Sequence, residues 1–219
     1  MNWRGPSVSG PHWDADSPAL IDNIRRVLMV VSKHAVDRKS IDLDQIRAWH
    51  RDMMKGLAIP EAAPLGVRQA DLKGHFRGPP KLPGIAIRVG AYWGVPADEV
   101  AAACDDVMQT LQTLIAGLDQ QFSADQLDAM SAQDVSAICT AAAWTHAEWV
   151  RIHPFGNGNG RMSRLLGNWV LMRYGLRPVL RMRPRPDGSY EDAAQQNMFG
   201  GHAKLADFIE QSLIASARW

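Results

Sequence analysis

The chain has 219 residues, of which 46% are apolar and 21% charged, and a net charge of +1. That suffices for one sizeable domain with its own core, and the near balance of charge excludes a broad polybasic footprint for nucleic acid. The longest apolar stretch, residues 165–172, is too short for a membrane span, and residues 1–6 lack the apolar segment of a secretory leader, so a cytoplasmic location is expected.

Residues 1–16, with Gly, Pro, Ser, Trp3 and Trp13, read as an extended arm ahead of a single domain over 17–219. Ser17 or Asp16 caps a first helix with Pro18 near its first position and Leu20, Ile24, Val27, Leu28 and Val31 as its buried stripe. Asp42-x-x-Gln45 reads as a capping box opening a second helix that runs to about Leu57, with Gly56 and Pro60 ending it. Residues 58–96 break the helical rhythm. The alternation in 85–89 predicts a β-hairpin, 75–77 against 85–89, around Pro79–Gly84.

Helical spacing then returns over 96–118, 132–151, 159–174, 190–198 and 202–216. Cys104 and Cys139 fall on apolar stripes and read as buried thiols in a reducing compartment. No His-x-x-x-His pair or carboxylate cluster suggests a zinc site. The sum is a mainly α fold, a helical bundle with a small β-flap.

The informative segment is Ile152-His153-Pro154-Phe155-Gly156-Asn157-Gly158-Asn159-Gly160-Arg161-Met162-Ser163-Arg164. Glycines let backbone N–H groups converge on one point as an anion nest, and a helix starting there adds its positive dipole end. Arg161 and Arg164, three apart on that helix, can fork onto phosphate oxygens, while His153 is an imidazole suited to accept a proton near neutrality. Elsewhere, His146 reads as a packed helix residue, the tryptophans as core, and Arg181, Arg183 and Arg185 as a solvated extended connection.

The order His153-Pro154-Phe155-x-x-Gly158-Asn159-Gly160-Arg161-x-x-Arg164 resembles the signature of Fic-domain proteins, and the likeness extends by pattern over residues 17–214. The resemblance implies a Fic fold and transfer of AMP from ATP to a protein Ser, Thr or Tyr hydroxyl, releasing pyrophosphate. It implies His153 as general base, Phe155 as loop anchor, Asn157, Gly158, Asn159, Gly160, Arg161 and Arg164 as the phosphate site, and a flap over 75–90 (Phe76, Arg77, Ile87, Arg88 and Val89) that clamps the target by strand addition. Tyr190 and Asn197 lie where relatives border the nucleotide base, with a plain core role for Tyr190 as the other option.

One position departs from the family pattern. Asn157 stands where an acidic residue usually holds Mg²⁺, so the resemblance implies weaker metal binding, transfer of UMP, phosphate or phosphocholine instead, or a nucleotide-binding module with little catalysis. The family's inhibitory Ser/Thr-x-x-x-Glu is also missing. The residues four before each Glu are Leu57, Val95, Trp144, Asp187 and Ala206, so the resemblance implies either a separate antitoxin-like partner or restraint by other means, such as the missing acidic ligand. Pairing of two copies through helical faces is a further expectation from the resemblance.

Overall fold

The computed structural model describes residues 17–82, 84–89, 92–122, 130–186 and 188–216, so the arm expected over 1–16 lies outside the described residues. The described residues form α1 (Pro18–Val36), α2 (Leu43–Met53), a 3-10 turn (Pro60–Ala62), β1 (Arg88–Val89), β2 (Tyr92–Trp93), α3 (Val100–Gln121), α4 (Ala132–Ile152), α5 (Asn159–Arg173), α6 (Ser189–Asn197) and α7 (Ala203–Ser216). None of these helices is long and apolar enough to cross a membrane.

Local chemistry explains where they start. The Ser17 hydroxyl accepts from the Leu20 amide at 3.2 Å, with Pro18 supplying a first-turn residue that has no N–H to satisfy. Asp42 accepts from the Gln45 amide at 2.7 Å, and Ser131 with Asp134 forms a complete capping box for α4. α2 ends at Met53 rather than Leu57, because the chain turns into Gly56 at φ 71°. α3 runs from Val100 to Gln121, shifted towards the C-terminus of the predicted 96–118.

The centre of the fold is α5, buried around nearly its whole circumference, with α4 and α1 packed on it and α7 packed on α4. Small residues permit this. Ala141, Ala142, Ala143 and Ala147 leave α4 a low surface, and a Cβ at Gly167 would fall 2.6 Å from Leu180 Cδ1 and 3.3 Å from the Ala142 carbonyl oxygen. At its far end, Arg173 and the Tyr174 hydroxyl both bond Asp119 of α3, at 2.6 and 2.9 Å. Burial would raise the Asp119 carboxyl, but these bonds hold it below its usual value.

The predicted hairpin is corrected by the structure. Residues 75–77 do not pair with 85–89; Phe76 instead bridges Phe155, and the Arg77 amide donates to the Pro154 carbonyl at 2.7 Å. The hairpin is β1 against β2, in register Arg88↔Trp93 and Val89↔Tyr92. Phe76 is drawn inward by aromatic contacts with Trp149 and Phe155, which outweigh the weak alternation of a short exposed strand. A satellite cluster of Ile59, Ala62, Leu72, Leu82 and Ile85 supports this irregular region.

Candidate functional site

A cavity of about 630 Å³ opens between the α4–α5 loop, β1–β2 and α6, lined by His153 and by every residue from Gly156 to Arg161. The loop's shape follows from its sequence. His153 ends α4 in the left-handed region (φ 54°, ψ 57°), an uncommon conformation for a side-chain-bearing residue. Asn159 clamps the turn: its Nδ2 donates to the Phe155 carbonyl at 2.8 Å and its Oδ1 accepts from the Phe155 amide at 2.9 Å. Gly158 caps α5 at φ 68°, a conformation that strains residues with a side chain, and a Cβ there would meet Met54 Cε at 2.3 Å and His50 Nε2 at 3.3 Å. Phe155 is fully buried, its ring stacked 3.8 Å from that of His50.

The anion nest is open. Among the described residues the amides of Gly158, Asn159 and Gly160 donate to no protein acceptor, and they head an inward-facing helix. The Asn159 side chain is spent on the clamp, so this residue offers a ligand only its backbone. Beside the nest, Arg164 is 5% exposed; its Nη1 donates to the Tyr190 hydroxyl at 3.1 Å and its Nη2 to the Met182 carbonyl at 3.3 Å. A guanidinium held among neutral oxygens keeps its charge available to an incoming anion.

His153 is half-buried at the cavity wall. Its Nδ1 donates to the Val150 carbonyl at 2.8 Å, which leaves Nε2 as the basic nitrogen. Burial, reinforced by the Arg77 charge and partly opposed by the Val150 bond, lowers its pKa to about 4, so the ring is neutral at physiological pH.

Other predicted site residues fall elsewhere. Arg77 does not face the cavity. It is 2% exposed and spends its guanidinium on four carbonyls, of His153 (2.7 Å), Ile85 (2.7 Å), Val95 (2.8 Å) and Ile152 (3.0 Å), so it clasps the end of α4 to the flap. Phe76 is likewise buried behind the loop. Of the remaining flap residues, Ile87 lines the cavity and Arg88 stacks on Trp93, 5.8 Å from its ring centre, while Val89 takes part through the β1 backbone. Tyr190 lines the cavity, but Asn197 does not. Asn197 is fully buried, accepts from His146 Nδ1 at 2.9 Å and donates to the Ala193 and Gly201 carbonyls.

His146, in turn, accepts from the Tyr190 hydroxyl at 3.0 Å, which completes a chain Arg164–Tyr190–His146–Asn197. Burial lowers the His146 pKa to about 3, so it is a neutral relay within this chain. Sequence reading missed Arg183 and Arg185, which the structure brings to the cavity wall with Tyr92, Gln195 and Met198. The alternation of arginine with proline was the available signal. It fixes an extended path, but which way that path faces is set only by long-range packing.

Among the described lining residues, Arg161, Arg164, Arg183 and Arg185 stand with one carboxylate, Glu191, which is paired with Arg185 at 3.2 Å. Asn157 is 5% exposed, and neither atom of its amide makes a hydrogen bond of normal geometry. These residues do not fit a resident divalent cation. Asn157 offers one neutral oxygen, and no group of three or more potential acidic, His or Cys ligands occurs among the described residues.

The Fic/DOC family model matches residues 40–171, which include the whole loop. The chain belongs to the Fic/DOC family. It is 46% identical over 69 residues to the protein adenylyltransferase Fic of Nematostella vectensis, covering 31% of this chain and 15% of that protein. It is 59% identical over 39 residues to the protein adenylyltransferase Fic of Aedes aegypti, covering 18% of this chain and 8% of that protein. The Fic chain thus matches only a small part of the length of these curated relatives.

Solved structures agree on the Fic fold. A Fic domain containing signaling protein from Bacteroides thetaiotaomicron superposes with a TM-score of 0.60 at 18% identity, covering 90% of this chain and 69% of that one. The BepC protein of Bartonella tribocorum, solved with bound AMPPNP, gives a TM-score of 0.55 at 16% identity, covering 95% and 93%.

Proposed function

We propose that this chain is a protein adenylyltransferase that moves AMP from ATP to a Ser, Thr or Tyr hydroxyl of a target protein. The observation that carries this reading is the pairing of an open amide nest and buried Arg164 with an imidazole whose Nε2 is free of its proton. Phosphoryl-type transfer asks the protein for positioning and charge neutralisation, and this wall supplies both. The curated relatives named as adenylyltransferases support the same chemistry.

In the reaction the target hydroxyl oxygen attacks the α-phosphorus and its proton passes to His153 Nε2. The bond from the α-phosphorus to the bridging oxygen breaks, and pyrophosphate leaves with both electrons. The nest amides and Arg164 stabilise the charge that builds on the phosphate oxygens. A polyphosphate beside His153 also raises the ring's pKa from its low value in the free protein, which strengthens it as a base. β1–β2, at the cavity mouth, presents the target segment as an added strand.

His153→Ala should cut transfer of labelled AMP to protein by about 10²–10⁴-fold without changing the far-UV spectrum. Unchanged transfer would defeat the proposal. A second reading is favoured by the neutral side chain of Asn157, whose amide makes no hydrogen bond of normal geometry: the same site moves a different phosphate-containing group (UMP, phosphate or phosphocholine), or binds nucleotide with little turnover. Asn157→Asp is the sharper probe. Adding a carboxylate should lower the Mg²⁺ concentration needed for half-maximal transfer by about tenfold or more, and an unaltered Mg²⁺ curve would assign Asn157 no part in metal demand. An antitoxin-like partner remains the natural source of an inhibitory glutamate.

A further inference from the structure

His50 of α2 belongs to no motif and does not line the cavity, yet it touches the nest from behind. It is fully buried. Its Nδ1 accepts from the Gly74 amide at 2.9 Å, which places the ring proton on Nε2, and Nε2 then donates to the Asn157 carbonyl at 3.1 Å. Burial lowers its pKa to about 3, so the ring keeps one donor and one acceptor. Its face lies on Phe155, ring centres 3.8 Å apart and planes within 5°.

The consequence lies in the peptide that follows. The Asn157–Gly158 bond is not among the cis bonds, and in a planar trans peptide the C=O and the next N–H point in opposite directions. Drawing the Asn157 carbonyl into the core therefore turns the Gly158 N–H outward, towards the cavity that Gly158 lines. A flipped peptide would aim a carbonyl oxygen at an anion, and glycine's backbone freedom would otherwise make that flip easy. We infer that His50 is a positioning residue whose Nε2–H locks the Asn157–Gly158 peptide so that the Gly158 amide faces the bound polyphosphate. The inference rests on the polyphosphate reading of the cavity.

Two variants separate this role from simple packing. His50→Phe keeps a ring against Phe155 and loses both hydrogen bonds, whereas His50→Gln keeps an N–H close to the position of Nε2. With inorganic tripolyphosphate as the calorimetric probe, the Phe variant should bind about tenfold more weakly than the parent and the Gln variant within about threefold. In nucleotide transfer the Phe variant should lose more in kcat than in KM, because the nest's charge contacts matter most in the transition state. Equal affinity for parent and Phe variant, or a Gln variant as weak as the Phe variant, would overturn the inference.

If the Phe variant does not fold, the parent decides: tripolyphosphate must shift the amide resonance of Gly158, and shifts confined to Asn159 and Gly160 would sink the idea. A parent that binds tripolyphosphate through Gly158 but transfers no nucleotide leaves His50's role standing and removes the transferase reading. A parent that binds none removes the His50 inference, and the transfer assay alone then judges the function.

Discussion

The two walls of the cavity are built on different principles. The loop from His153 to Gly160 is held from within and behind by short, neutral contacts: Asn159 to Phe155, His50 to Asn157, and Phe155 sunk in aromatic rings. On the other side, where Ile87 and Tyr92 line the cavity, the described residues form two short strands, and the Arg77 guanidinium concentrates the polar bonds that tie this flap to the end of α4, beside the Phe76 contacts with Trp149 and Phe155. Gly94 marks how close the two come, since a Cβ there would lie 2.9 Å from His153 Cβ. Stability on the loop side is spread over several small contacts, whereas on the flap side one side chain carries four bonds at once.

The largest expected effect is therefore on the flap side. Arg77→Met keeps the apolar stem and removes the donors to four carbonyls, two at the end of α4 (Ile152 and His153) and two on the flap side (Ile85 and Val95). Each buried carbonyl left without a partner costs about 1–3 kcal/mol, so a loss of about 3 kcal/mol or more in urea unfolding is expected. A loss under about 1 kcal/mol would show that water replaces the clasp and that the flap is fastened elsewhere.

Acid should weaken the loop side next. The folded pKa values of His50 and His146 are lowered to about 3 from 6.5, so between those values the unfolded chain binds more protons than the native one. Stability is therefore intact above pH 6.5 and falls as pH drops through that window, by up to about 1.4 kcal/mol per pH unit for each ring. Urea midpoints at pH 7, 6 and 5 test this, and His146→Gln should make the slope shallower by one ring's share. A flat profile would mean that these rings protonate in place.

The same contrast explains what was legible in the sequence. The loop could be read because its geometry is encoded locally: glycine at 158 takes φ 68° without strain, and the amide nest follows from its neighbours. Arg77 could not. In a string of Gly and Pro an arginine looks solvated, and its burial is decided by carbonyls at residues 85, 95, 152 and 153. Arg183 and Arg185 were hidden for the same reason, and so was the displacement of the hairpin to β1–β2. The helices were visible from their periodicity, yet α5 looked amphipathic and proved buried all round, because the smallness of α4 and Gly167 only matters once the two helices meet.

The smallest effect expected is at Tyr190, where two readings diverge. As a core residue it would contribute only its buried ring, and Tyr190→Phe would then leave nucleotide affinity untouched. Its hydroxyl, however, accepts from Arg164 at 3.1 Å and donates to His146 at 3.0 Å, with Asn197 closing the chain behind. Removing the oxygen leaves Arg164 Nη1 and His146 Nε2 facing each other without a mediator, and the guanidinium can then swing off the line on which it meets phosphate. The buried ring survives, so stability should change by only about 1 kcal/mol. ATP affinity by calorimetry should drop about five- to tenfold, a split between binding and stability that packing alone would not produce. If affinity holds while only the melting temperature moves, Arg164 is fixed by its stem and the Met182 carbonyl, and the hydroxyl chain serves the core rather than the cavity.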